Sequence, residues 1–236
     1  MATLLVLEVI ILQRIFEPMI HIIYLTIVIL MGSYMIRYSV GNKFHKIFGS
    51  LALTLGLGDG IYLIARMYAV LTTGIENNLK VIGWGRVGNT IIITIFFLIL
   101  YDAYNERYSK PINKSLNNAF YGLAIVRIIL SILPGNKWFE LVPSSIYALI
   151  RFVPLALMGV LLILIMYLHS IKFKDPMFKL ICIFTFFAIL FMEPLIFFPK
   201  APIGVLVLTV FRTISLVSIL LIGYKDLRDI NVLSRY

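Results

Sequence analysis

The chain is poor in the residues on which most membrane chemistry depends. Cys182 is the only cysteine among 236 residues, so no disulfide can close within the chain and no thiol pair can hold a metal. The three histidines, His21, His45 and His169, lie toward the ends of apolar runs, too few and too scattered for a zinc hydrolase of the ceramidase type. No lysine sits deep in an apolar run, which excludes a retinal Schiff base. There is no Gly-x-Ser-x-Gly elbow and no phosphate loop, and the glycines at Gly56, Gly58 and Gly60 have the wrong spacing for a dinucleotide fingerprint. Charged residues make up only 14% of the chain, against about a quarter in soluble domains. The sequence therefore predicts no cofactor, no metal and no nucleic acid partner.

Apolar residues fill the gap. They are 61% of the chain, with a mean hydropathy of +1.00. Seven runs, at about 17–38, 47–72, 81–104, 116–134, 144–169, 178–198 and 203–224, are long enough to cross a bilayer core of about 30 Å. Residues 1–16 contain a shorter apolar stretch broken by Glu8, read as a helix lying on the outer surface. The predicted fold is all-α, a polytopic seven-transmembrane helix bundle forming a single integral membrane domain over 1–236.

Orientation follows from the basic loops. Arg37, Lys43, Lys46, Arg107, Lys110, Lys114, Lys172, Lys174, Lys179, Lys225, Arg228 and Arg235 fall on one side, while Arg14, Lys80, Lys137 and Lys200 fall on the other. The N-terminus is thus predicted outside and the C-terminus cytoplasmic, in a cell or plasma membrane. The net charge of +10 is explained by those loops.

Seven charged residues interrupt the spans: Asp59, Arg66, Arg86, Arg127, Arg151, Glu193 and Arg212. Each costs roughly 2.5 to 3.5 kcal/mol at membrane depth on insertion scales, so they mark function or mutual pairing. Arg86, near a span end, can snorkel outward. Two acids cannot neutralise the remaining four arginines, and guanidinium is suited to bidentate contact with phosphate. Helical spacing adds Tyr62 to the stripe of Asp59 and Arg66, Asn89 to that of Arg86, and Tyr147 to that of Arg151. All these charges are central or outward in the predicted topology. The expected site is an outward-facing polar pocket in which Arg66, Arg127, Arg151, Arg212, Tyr62, Asn89 and Tyr147 bind an anionic or phosphate-bearing ligand. Asp59, kept ionised by an arginine, and Glu193, raised by its apolar surroundings, are the candidate catalytic base and acid. Internal ion pairs that merely fix helix register are the bland alternative.

Leu57-Gly58-Asp59, followed by apolar residues and Arg66, resembles the Leu-Gly-Asp segment of the YhhN-like lysoplasmalogenase family. Met192-Glu193 stands where that family carries a second acid in a Ser-Asp pair, and Thr94 where it carries a histidine between aromatic residues. The resemblance implies a small polytopic hydrolase acting on the vinyl-ether bond of lysophospholipids, with a membrane lipid as partner. A small-anion transporter, a receptor-like binding protein without catalysis and an accessory subunit engaging a partner helix are the competing classes. A homo-oligomer is compatible with each.

Overall fold

Three side chains fix where helices begin. Asn42, Ser144 and Asp175 each hold an extended backbone and accept a hydrogen bond from the turn that follows, from Phe44 N at 3.0 Å, Tyr147 N at 3.3 Å and Met177 N at 3.0 Å respectively. Each satisfies an amide that the helix cannot pair for itself. A computed structural model describes residues 17–39, 41–108, 114–193 and 202–233. These form seven α-helices: α1 (Glu17–Tyr38), α2 (Lys43–Leu71), α3 (Leu79–Tyr108), α4 (Lys114–Ile132), α5 (Ser145–Lys172), α6 (Pro176–Leu190) and α7 (Pro202–Leu233). Single turns of 3-10 helix, Glu76–Asn78 and Pro134–Asn136, occupy two connections. The fold is all-α.

Six of the helices are long and apolar enough to cross a membrane, and the protein is a multi-pass membrane protein. The exception is α6, whose 15 residues reach about 22 Å, short of the bilayer core. The sequence predicts a sixth span over 178–198, but the helix ends at Leu190 and the chain turns at Phe191 and Met192. Glu193 precedes Pro194, and a proline ring pushes the residue before it out of helical conformation. Glu193 therefore lies past the end of α6 and not within it. The rest of that predicted span, and the surface helix expected over 1–16, fall outside the described residues. Elsewhere helices overrun the apolar runs: α2 begins at Lys43 and α3 continues to Tyr108, and Lys43 pairs with Glu106 at 2.8 Å. Apolar length measures the bilayer, whereas the helix continues through the headgroup layer. In α5 the helix runs through Pro154, which removes the backbone bond to the Ile150 carbonyl.

Contacts at helix ends define the topology. Besides Lys43–Glu106, Arg107 at the end of α3 reaches Asp175 before α6 at 3.1 Å, and His45 at the start of α2 meets Asp226 near the end of α7 at 2.9 Å. These ends share one side of the bundle, here termed the basic end. At the other, distal end, Arg86 near the start of α3 donates to carbonyls of Trp138, Glu140 and Leu141 in the α4–α5 connection. The helices thus alternate in direction. α3 touches α2, α4 and α5, and α7 packs on α6 and on α2. Small residues allow the closest approaches: a Cβ at Gly49 would stand 2.6 Å from Ile36 and 2.9 Å from the Gly32 carbonyl of α1.

The apolar core is densest in the basic half, with Phe48, Phe96, Phe97, Leu100, Phe120, Leu162, Phe178 and Ile219 fully buried, and it extends along α6 to Ile189 and Met192. The buried charges away from the basic helix ends, Asp59, Arg127, Arg151 and Glu193, lie above it, toward the distal end.

Candidate functional site

The buried charges form two groups on different sides of α3. The first centres on Asp59, 3% exposed, about 18 Å along α2 from its distal end. Its Oδ2 accepts from the Tyr24 hydroxyl of α1 at 2.6 Å, and its Oδ1 accepts from Asn89 Nδ2 of α3 at 2.8 Å and from Arg212 Nη2 of α7 at 3.3 Å. Four helices thus converge on one carboxylate. Gly58, beside it, lets α2 and α3 approach: a Cβ there would lie 2.9 Å from Ile92.

The second group centres on Glu193 and lies nearer the distal end, with Arg151 only six residues into α5. Arg151 grips the carboxylate with both arms, Nε to Oε1 at 3.1 Å and Nη2 to Oε2 at 2.8 Å. Its Nη1 donates to Asn136 Oδ1 at 2.8 Å, and its guanidinium lies 4.3 Å from the centre of the Trp138 ring, a cation–π contact. Arg127 of α4 is buried to 1%. Its Nε donates to Thr94 Oγ1 of α3 at 2.9 Å, its Nη1 approaches the Arg151 carbonyl at 3.5 Å, and its Nη2 lies 4.0 Å from Glu193 Oε1. Among the described residues, Glu193 is the carboxylate within 4.0 Å of either guanidinium.

The α4–α5 connection roofs this group. The Asn136 amide donates to the Leu130 and Leu133 carbonyls at 2.8 Å, satisfying acceptors that the end of α4 leaves open. The Trp138 indole donates to the Ser131 carbonyl at 2.7 Å. Arg86 pins the same loop from α3, so its role is to hold the roof.

α3 serves both groups. Asn89 and Thr94 are five residues apart, about 140° around the helix and about 7.5 Å along it, which separates Asp59 from Glu193. The expected single constellation is therefore two. Asp59, Asn89 and Arg212 come together, as do Arg127, Arg151 and Glu193. Tyr62 and Arg66, both half-buried, lie by Arg86 nearer the distal end. Tyr147 packs against Gly135 of the roof.

Comparison with family models, curated proteins and solved structures returned no match.

Chemistry must accordingly be read from the groups themselves. Sequence reasoning passed over Tyr24, Asn136 and Trp138 as site residues. Tyr24 carries a signal, a phenol well inside an apolar run and away from either boundary, whereas Asn136 follows Pro134-Gly135 as an ordinary turn residue and Trp138 is an aromatic just past the end of a run. Two grooves, of about 490 and 380 Å³, lie at the basic end; the first is lined by Lys43, Asp102 and Glu106 among others, the second by Arg107, Lys174 and Asp175. Both are remote from the two buried groups.

Proposed function

We propose that this protein crosses the membrane seven times, the alternation of its seven helices counting the short α6 as one pass, N-terminus outside and C-terminus cytoplasmic, and binds a phosphate-bearing ligand such as a lipid headgroup at Arg127 and Arg151. The observation that carries this reading is the sharing of one carboxylate by two guanidiniums that are 1% and 2% exposed. A buried surplus cation is expensive in a low-dielectric bundle and is relieved by an anion. The basic loops support placing the distal end, and with it this group, at the outer leaflet. Native mass spectrometry of the purified chain tests the reading: wild-type protein is expected to retain a phosphate-bearing lipid that Arg127→Met loses. Equal retention by both removes the basis for the assignment.

A second reading, hydrolysis of a lysophospholipid vinyl ether, is favoured by one contact. The 2.6 Å bond from Tyr24 to Asp59 sets a phenol hydroxyl on a carboxylate, the kind of donor and acceptor pair that general acid–base chemistry uses. Asp59 and Glu193 belong to separate groups, so in this reading Asp59 acts with Tyr24, and the arginines of the second group hold the headgroup. Incubation with lysoplasmalogens followed by mass spectrometry should give an aldehyde product with wild-type protein and none with Asp59→Asn. Undiminished product from that variant removes Asp59 from the chemistry, and no product from wild type leaves binding alone.

A further inference from the structure

We infer that the Glu193 carboxylate is a tethered surrogate anion, which a dianionic terminal phosphate displaces from Arg127 and Arg151 when it binds. This rests on the anion-binding reading above and states how that site is regulated and which phosphate class it takes.

Three features support it. The first is the geometry of the pair itself. Arg151 takes both Glu193 oxygens, at 3.1 and 2.8 Å, in the side-by-side arrangement that a guanidinium also makes with two phosphate oxygens. The carboxylate thus stands where two oxygens of a ligand oxyanion would make the same pair of bonds.

The second is that the arginines do not depend on Glu193 for their positions. Arg127 is held by Thr94 Oγ1 at 2.9 Å, and Arg151 by Asn136 Oδ1 at 2.8 Å and by the Trp138 ring. All three partners are neutral, and they come from α3 and from the α4–α5 connection. When the carboxylate leaves, the two guanidiniums stay in place and aimed at the vacated volume. Glu193, by contrast, sits three residues beyond the end of α6, just past the bond from Met192 N to the Ile189 carbonyl at 3.1 Å.

The third is charge. Two guanidiniums facing one carboxylate leave one positive charge over, whereas a terminal phosphate carries about −1.5 to −2 near neutral pH and balances the pair. A phosphodiester, with a single negative charge, would merely replace what Glu193 already supplies. The site therefore prefers a monoester or free phosphate over a diester headgroup.

The experiment is a set of binding titrations on the full chain in detergent, reading thermal stabilisation by inorganic phosphate, lysophosphatidate and lysophosphatidylcholine. Competition by a tethered acid predicts that Glu193→Gln binds inorganic phosphate and lysophosphatidate at least about tenfold more tightly than wild type, within the usual range of site coupling. Tighter binding of lysophosphatidate alone assigns the ligand to lipid; equal gains assign it to the free ion. Where Glu193→Gln fails to fold unaided, rescue by saturating phosphate supports the surrogate role, and failure of rescue overturns it. Glu193→Asp, whose carboxylate is one methylene shorter, should fold and show an intermediate gain. Wild-type affinity in both variants overturns the inference while leaving anion binding intact. No stabilisation of any form by any of the three probes overturns the anion-binding reading as well.

Discussion

The Asp59 and Glu193 groups are built in opposite senses. Around Asp59, donors surround an anion: Tyr24, Asn89 and Arg212 all point at one carboxylate, and one guanidinium balances its charge. Around Glu193, acceptors surround cations: Thr94, Asn136 and the Trp138 face solvate two guanidiniums that share a single acid. Removing the acid from the first group leaves its donors aimed at nothing. Removing it from the second leaves a cradle still organised for an anion. The difference teaches that an ion pair buried in a membrane bundle is not one kind of object. The composition of its outer contacts decides whether it fastens helices or holds a place for a ligand.

Mutations that delete one member of each group sharpen this contrast. Arg151→Met should have the largest effect, a loss of about 3 to 5 kcal/mol typical of a broken buried pair. It takes both hydrogen bonds from Glu193, which keeps only Arg127 at 4.0 Å, and removes the donor to Asn136 Oδ1 and the cation over the Trp138 ring. Arg212→Met should cost less, about 1.5 to 3 kcal/mol, since Tyr24 and Asn89 continue to solvate Asp59 and the Arg212 side chain is 15% exposed. Thermal unfolding in detergent ranks the two, and a reversed order would break the contrast. Arg127→Met is the most discriminating change. Although Arg127 is the most deeply buried of these cations, its loss leaves the neutral Arg151–Glu193 pair intact. Replacing a surplus buried charge with a similarly sized apolar side chain is often close to neutral, so in anion-free buffer the expected cost is below about 1.5 kcal/mol. Tyr24→Phe should be milder than Arg151→Met, about 1.5 kcal/mol for one hydrogen bond to a charged acceptor, readable in the same unfolding assay.

Much of the architecture was legible in the sequence, because membrane helices are written in long apolar runs and the chain has little else. Six helices fall where those runs predict; their distal ends agree within two residues, and the basic ends of five run past the apolar stretch, by two residues at Lys114 and nine at Leu233. The sixth run misled because hydropathy does not register the conformational effect of Pro194 on its neighbours, so Glu193 was placed inside a helix it follows. The charges that matter were also visible, each expensive enough to stand out. Their grouping was not. Helical spacing gives the face of one helix and not which helices meet, so the sequence assigns Asp59 and Glu193 to one chamber, whereas α3 holds Asn89 and Thr94 on different sides. The neutral partners were hidden for a related reason. A tyrosine, an asparagine in a turn or a tryptophan at a span boundary is ordinary in sequence, and only the carboxylate or guanidinium it faces gives it a role.

The central claim is that the Glu193 group carries one uncompensated cation and the Asp59 group none. Equilibrium dialysis against radiolabelled inorganic phosphate, performed on wild-type protein, Arg127→Met and Arg212→Met, tests it most directly. The account predicts saturable binding to wild type and to Arg212→Met with similar affinity, and loss of binding in Arg127→Met. Retention of wild-type affinity by Arg127→Met, or its loss in Arg212→Met alone, would contradict it.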